Sequence, residues 1–244
     1  MAGGRAGEER ATGGSVSPGS ADEPGKPRWI VITADVIGSR AVEPKGALMG
    51  ALAESLEAFN RAWAGLIAVP FSGAAGDEVQ GVLVPGVEAF AMVRRLRWAA
   101  RQAAVRPALR LRVGIGWGTI DTPMQAASSW EMDGPAFHRA RQALARAGEV
   151  RGETTRFSGP DPEHEAWVNV TLSLVDAIVQ RWTQAQWEAV DAYERRGTYA
   201  AAASEVGVAL QNVQKRCAAA RWPVIREAER VLGRSLERAA PVER

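Results

Sequence analysis

At 244 residues, with 46% apolar and 24% charged side chains, the chain has the balance of a globular protein that buries a core, which excludes disorder throughout. Its 30 basic and 28 acidic side chains leave a formal net charge of +2, so any nucleic-acid surface has to be local. The single cysteine, Cys217, excludes an intrachain disulfide and a cysteine-rich zinc site, and no run approaches the roughly 20 apolar residues of a membrane-spanning helix, so a cytoplasmic location is expected.

Residues 1–27 are rich in Gly, Ser, Pro and charge and lack the apolar segment of a secretory signal; they are expected to be a disordered tail. Residues 28–33 (RWIVIT) form an apolar, β-branched run that stops at Ala34-Asp35 and predicts a buried strand. Leu48, Leu52, Leu56, Phe59 and Trp63 recur every three or four residues, which places them on one face of an amphipathic helix within 44–65. Two strand-like runs, 66–72 and 79–84, flank a Gly-rich segment and predict a hairpin. A helix is expected at 87–104, a strand at 109–120 and a helix with Pro135 in its first turn at 134–147, whereas 152–162 reads as a loop. The order β-α-β-β-α-β predicts an α+β, ferredoxin-like domain over 28–162 with helices on one face of an antiparallel sheet.

Two acidic positions carry the chemistry of this domain. Asp35 closes an otherwise apolar strand, and Asp77 with Glu78 stands at the tip of the hairpin expected beside it. Clustered carboxylates repel unless a cation or protons intervene, and hard oxygen donors suit Mg²⁺ or Mn²⁺. Gly38 and Ser39 could offer backbone N–H groups to phosphate, with Arg40 as a nearby cation. Spacing alone favours a solvated turn at each acid, since Gly-Asp turns are common. His138, beside Arg139 and Arg141, fits a surface residue better than a catalytic base.

The segments 34–39 (ADVIGS), 76–80 (GDEVQ), 113–118 (VGIGWG) and 133–137 (DGPAF) resemble the SatD family over most of the chain and, more distantly, class III nucleotide cyclases and GGDEF domains. The resemblance implies a palm domain of the nucleotide-cyclase type in which Asp35 and Asp77 hold the metal, with the Val36 carbonyl as a third donor and Glu78 as an auxiliary. It implies a nucleoside triphosphate as ligand, with Gly38, Ser39, Arg40, His138 and Arg141 toward its phosphates. The Asn and the Arg four residues on that cyclases carry after the last core strand are not reproduced at His138, Arg139 and Arg141.

Residues 163–244 are expected to be a helical linker and a helix-turn-helix. Helices are predicted at 182–197, with Thr183 as N-cap, at 198–206, and at 208–231, with Gly207 in the turn and a break or kink at Arg221-Trp222-Pro223. The pattern resembles region 4 of sigma-70-type factors. It places Gln211, Asn212, Gln214, Lys215 and Arg216 at the exposed start of the reading helix, where amides pair with adenine edges and cations with guanine or phosphate. From Arg181 onward there are eleven basic and eight acidic side chains, so the local field is only weakly positive. A helical bundle used for dimerisation fits the same residues. Two functions follow: a DNA-binding regulator, expected as a homodimer, whose palm senses a nucleotide or metal, and a Mg²⁺- or Mn²⁺-dependent nucleotide cyclase or related phosphoryl-transfer enzyme.

Overall fold

The computed structural model describes residues 21–39, 45–73, 76–124, 128–150 and 152–238. Strands β1 (Trp29–Val36), β2 (Ile67–Gly73), β3 (Glu78–Leu83), β4 (Leu111–Gly118) and β5 (Thr155–Ser158) form one sheet in the order β2-β3-β1-β4-β5. All neighbours are antiparallel except β4 and β5. The helices are α1 (Lys45–Ala62), α2 (Ala89–Arg101), α3 (Pro135–Arg146), α4 (Pro162–Val179), α5 (Gln184–Arg196), α6 (Tyr199–Val206), α7 (Leu210–Ala219) and α8 (Trp222–Arg238).

The pleat of β1 sends alternate side chains to two faces. Ile30, Ile32, Ala34 and Val36 join Leu48, Leu52, Leu56 and Phe59 of α1 and Phe90, Val93 and Leu96 of α2 in the main core. Val31 faces the other way, with Val82 and with Ala136, Phe137 and Ala140 of α3. Helix α3 runs back along β4, so close that Gly114 and Gly116 are required beneath it. A Cβ on Gly116 would lie 2.0 Å from the Ala136 carbonyl oxygen.

The fifth strand lies where a loop was expected. Only four residues long and mostly polar, β5 has no alternation to betray it, and its outer edge is bonded by side chains of α4 rather than by another strand. Asn169 accepts from the Phe157 N–H at 2.8 Å and donates to the Phe157 carbonyl at 2.9 Å, while Asp176 Oδ2 accepts from the Thr154 and Thr155 N–H groups at 2.7 Å. Arg97 of α2 closes the clasp through Asp176 Oδ1 at 2.8 Å.

Two expected boundaries move. Residues 21–27, expected within the tail, include Asp22, whose carboxylate accepts from the Thr119 N–H at 2.9 Å and from Arg139 at 2.8 Å. The division at 162/163 is crossed by the core, since Leu172 of α4 and Leu232 and Leu236 of α8 belong to the main cluster. Helices α5–α7 and the start of α8 build a second cluster around Trp182, Trp187, Val190, Val213, Cys217 and Ile225. The expected helix over 208–231 is broken between α7 and α8, where Arg221 takes a left-handed φ of 55° and Pro223 falls in the first turn of α8. No helix among the described residues is long and apolar enough to cross a membrane.

Candidate functional site

Asp35, next to last in β1, lies directly opposite Glu78 on β3 and Arg112 on β4, so the three side chains form a row across the sheet on the α3 face. Arg112 grips Asp35 in a bidentate pair, Nε to Oδ1 at 3.1 Å and Nη2 to Oδ2 at 2.5 Å. The Asp35 bond, ahead of the opposing effect of partial burial and aided by the charges of Asp35 and Asp77, holds the Arg112 guanidinium above its ordinary pKa. Arg112 also donates to the Ala147 carbonyl at 3.4 Å, which ties the site to the end of α3.

Around this pair opens a cavity of about 800 Å³ at the end of the sheet. Asp35, Val36, Gly38, Ser39 and Asp77 all line it, together with Arg110 and Arg112, Met49 of α1, and Glu153, Thr154 and Gln180 on the far wall. Gly38 and Gly76 turn the chain with φ of 74° and 135°, which frees the two segments to approach the cavity. The two acids singled out in the sequence therefore share one cavity.

The remaining expected residues divide. Arg40 lies outside the described residues. Glu78 is exposed and, although register sets it opposite Asp35, does not line the cavity. His138 and Arg141 are a correction: α3 begins beside Thr119, at the other end of β4 from Arg112, so its first turns are carried away from Asp35. His138 faces Asp133 instead, at 3.3 Å, and Arg141 is exposed. Sequence reading missed Arg110 and Arg112. For Arg112 the signal lay in LRLRV, since an arginine inside an otherwise apolar strand has to find a carboxylate; Arg110, exposed just before β4, carried no such signal.

The family model of SatD matches residues 29–219. The chain belongs to the SatD family. No curated protein matches it in sequence. Among solved structures it is similar to the guanylyl cyclase domain of the RhoGC fusion protein from the aquatic fungus Blastocladiella emersonii, at 16% identity over 49% of this chain and 74% of that one, with a TM-score of 0.40. A bacterial light-regulated adenylyl cyclase is similar at 17% identity over 54% and 75%, TM-score 0.40. The active GGEEF domain of a diguanylate cyclase from Vibrio cholerae follows at 12% over 55% and 83%, TM-score 0.37. Likenesses at this level assign no residue in the SatD-family chain.

The donors in the cavity fit one kind of cation. Among the described residues no group of three or more His, Cys, Asp or Glu side chains is placed to hold a metal, so an all-protein cage is not built here. Three carboxylates line the cavity, of which Glu153 already pairs with Arg156 at 2.7 Å, leaving Asp35 and Asp77, a set that suits Mg²⁺ or Mn²⁺ held jointly by protein and phosphate oxygens. Arg112 already neutralises Asp35, so a cation there has to share or displace the guanidinium.

In the helical part, Thr183 caps α5 in a reciprocal box with Gln186, and Gly197 and Gly207 close α5 and α6 with left-handed φ of 74° and 72°. Val213 and Cys217 anchor α7, leaving Gln211, Asn212, Gln214 and Lys215 exposed and Arg216 half-buried. The five residues expected to read DNA thus lie on one short helix, four of them open to solvent.

Proposed function

We propose that this SatD-family protein is a nucleotide-responsive regulator: the Asp35 cavity binds a nucleoside triphosphate with Mg²⁺ or Mn²⁺, and α6–α7 act as a helix-turn-helix on DNA. One observation carries the reading, the meeting of Asp35, Asp77, Arg110 and Arg112 in one cavity. Asp77 and Asp35 would hold the cation, which neutralises phosphate charge when bound, while Arg110, Arg112 and the turn at Gly38-Ser39 take phosphate oxygens. The first four strands with α1 and α2 are read as a ferredoxin-like palm, and the binding role of the exposed α7 residues rests on their amide and cationic chemistry. A regulator is preferred to a cyclase because the Asn and the Arg four residues on that cyclases carry after the last core strand are not reproduced at His138, Arg139 and Arg141.

Calorimetric titration of ATP and GTP with Mg²⁺ or Mn²⁺ tests the first half. Wild type should bind at least one, and Asp77→Asn should weaken it by roughly tenfold or more; equal affinity in the variant overturns the site. Gel shifts against genomic fragments at low salt test the second half, with Lys215→Ala expected to weaken every complex. Pyrophosphate released from any triphosphate would move the protein to the enzymatic reading.

The cytoplasmic homodimer also belongs to this proposal. On α4, Trp167, Val170 and Leu174 are 68%, 58% and 64% exposed, an apolar stripe with no charge on its open side. Asp161 and Glu163 precede the stripe and Arg181 follows it, so two copies packed antiparallel bring acidic start against basic end. Light scattering should find a dimer that Trp167→Glu converts to monomer, and a monomeric wild type refutes it.

A further inference from the structure

Beside the Asp35 cavity, and sharing Arg110, Thr154 and Gln180 with it, lies a second cleft of about 50 Å³. Its walls come from both parts of the molecule: Arg101 from α2, Arg110 from the approach to β4, Gln180 from the end of α4 and Trp187 from α5. None of the described residues lining it is acidic. Arg97 also reaches it but is bound to Asp176 at 2.8 Å and to Thr154 Oγ1 at 2.7 Å. Arg101 and Arg110 have no carboxylate partner among the described residues.

Arg101 is held at a cost. Its Nε is buried without a hydrogen-bond partner, and its guanidinium lies 5.6 Å from the centre of the Trp187 ring. Partial burial, and after it the like charge of Arg110, push the Arg101 guanidinium below its ordinary pKa. An anion between the two arginines would satisfy the orphaned donor and cancel the repulsion together. At about 10–15 Å³ for each water-sized position, the cleft holds roughly three to five oxygen atoms, the size of one phosphoryl group rather than of a nucleoside.

We infer that the Arg101–Arg110 cleft is a phosphoryl-anion site joining the palm to the helical module. It deepens the nucleotide reading above, which bears only on the source of the anion: the far phosphate of a triphosphate whose metal end is at Asp77, or a free inorganic polyphosphate. Trp187 forms one wall, stacks on Trp98 of α2 at 6.0 Å with planes 5° apart, and packs edge-on against Trp182 at 4.9 Å. Filling the cleft therefore fixes the start of α5, the helix on which α6 and α7 are built.

Inorganic tripolyphosphate, titrated without metal at low salt into the full chain, is the probe. It should bind and slow amide exchange across 184–196. Arg101→Gln, at a residue that lines the cleft but not the Asp35 cavity and whose side chain makes no hydrogen bond among the described residues, should weaken it by roughly tenfold, one charge-assisted contact. Arg226→Gln, exposed on α8, should leave it unchanged, which separates a site from general loss of charge. If Arg101→Gln weakens Mg²⁺–ATP as well but not AMP, the anion is the nucleotide's tail; if only tripolyphosphate is weakened, it is inorganic. No binding of tripolyphosphate, or equal binding by Arg101→Gln, overturns the site and leaves the Asp77 titration standing. Tripolyphosphate binding without any Mg²⁺–nucleotide binding sinks the nucleotide reading alone.

Discussion

Replacing Arg94 with leucine is expected to cost about 3–5 kcal/mol of stability, because it strands the Glu229 carboxylate in the interior and leaves Glu194 to Arg95 alone. Arg94 reaches Glu229 of α8 through Nε at 2.8 Å and Nη2 at 3.1 Å, reaches Glu194 of α5 at 2.8 Å, and lies over the Trp222 ring at 4.6 Å. Its side chain is 5% exposed and that of Glu229 4%. Burial alone would lower the Arg94 guanidinium, and Glu229 and Glu194 outweigh it, leaving its pKa raised. Burial likewise acts to raise the Glu194 carboxyl, but Arg94 and Arg95 hold it below the ordinary range. The sign for Glu194 follows: its contribution is complete above the unfolded carboxyl pKa and is lost as pH falls through the depressed folded value.

Burial already holds the Glu229 carboxyl above its ordinary range, and removing Arg94 takes away the main effect that opposes it. The variant should accordingly lose most stability near pH 7 and recover part of it toward pH 4, as Glu229 takes up a proton. Thermal unfolding at pH 7 should fall by about 6–20 °C, given roughly 2–4 °C per kcal/mol at this size. The double variant Arg94→Leu/Glu229→Leu should recover part of the loss, since an apolar pair replaces a buried ionic one. A single variant within about 0.5 kcal/mol of wild type would show that α5 and α8 do not depend on this junction.

Gly116→Ala should be as damaging by a different route. The new Cβ would sit 2.0 Å from the Ala136 carbonyl oxygen, 2.4 Å from the Ala140 nitrogen and 2.9 Å from the Ala140 Cα, all backbone atoms that no rotamer change can move. Helix α3 has to lift off β4, and the cost should reach or exceed the roughly 1–3 kcal/mol typical of overpacking. Since Ala147 at the end of α3 accepts from Arg112, the same shift should disturb the grip on Asp35. Denaturant unfolding measures the first effect and triphosphate titration at low temperature the second; an unchanged midpoint would mean that sheet and helix are not in close contact.

Periodicity carried much of the architecture. Leu48, Leu52, Leu56 and Phe59 are buried on one face of α1 as their spacing predicts, and the runs flanking Asp77 pair as β2 and β3. Asp35 and Asp77 both line one cavity, but pattern alone did not say so: Gly-Asp is ordinary turn chemistry, and the resemblance of their segments to the SatD family was what singled the two acids out. What escaped was long-range. Arg112 announces no partner until β1 and β4 are in register, β5 is made by side chains 12 to 22 residues further on, and Leu232 and Leu236 join a core that begins 200 residues earlier in the sequence. His138 and Arg141 were misplaced for a directional reason: a helix packed antiparallel on a strand carries its first turn to the opposite end of that strand.

The side-chain clasp on β5 also limits how copies of this protein can meet. A bare strand edge is a template for another chain, but here Asn169 and Asp176 have already used the outward amides of that border. At the opposite border, β2 is interrupted by register shifts and carries Pro70, which has no N–H to offer. With both flanks blunted, the sheet is protected from runaway fibrillar growth through edge-to-edge pairing.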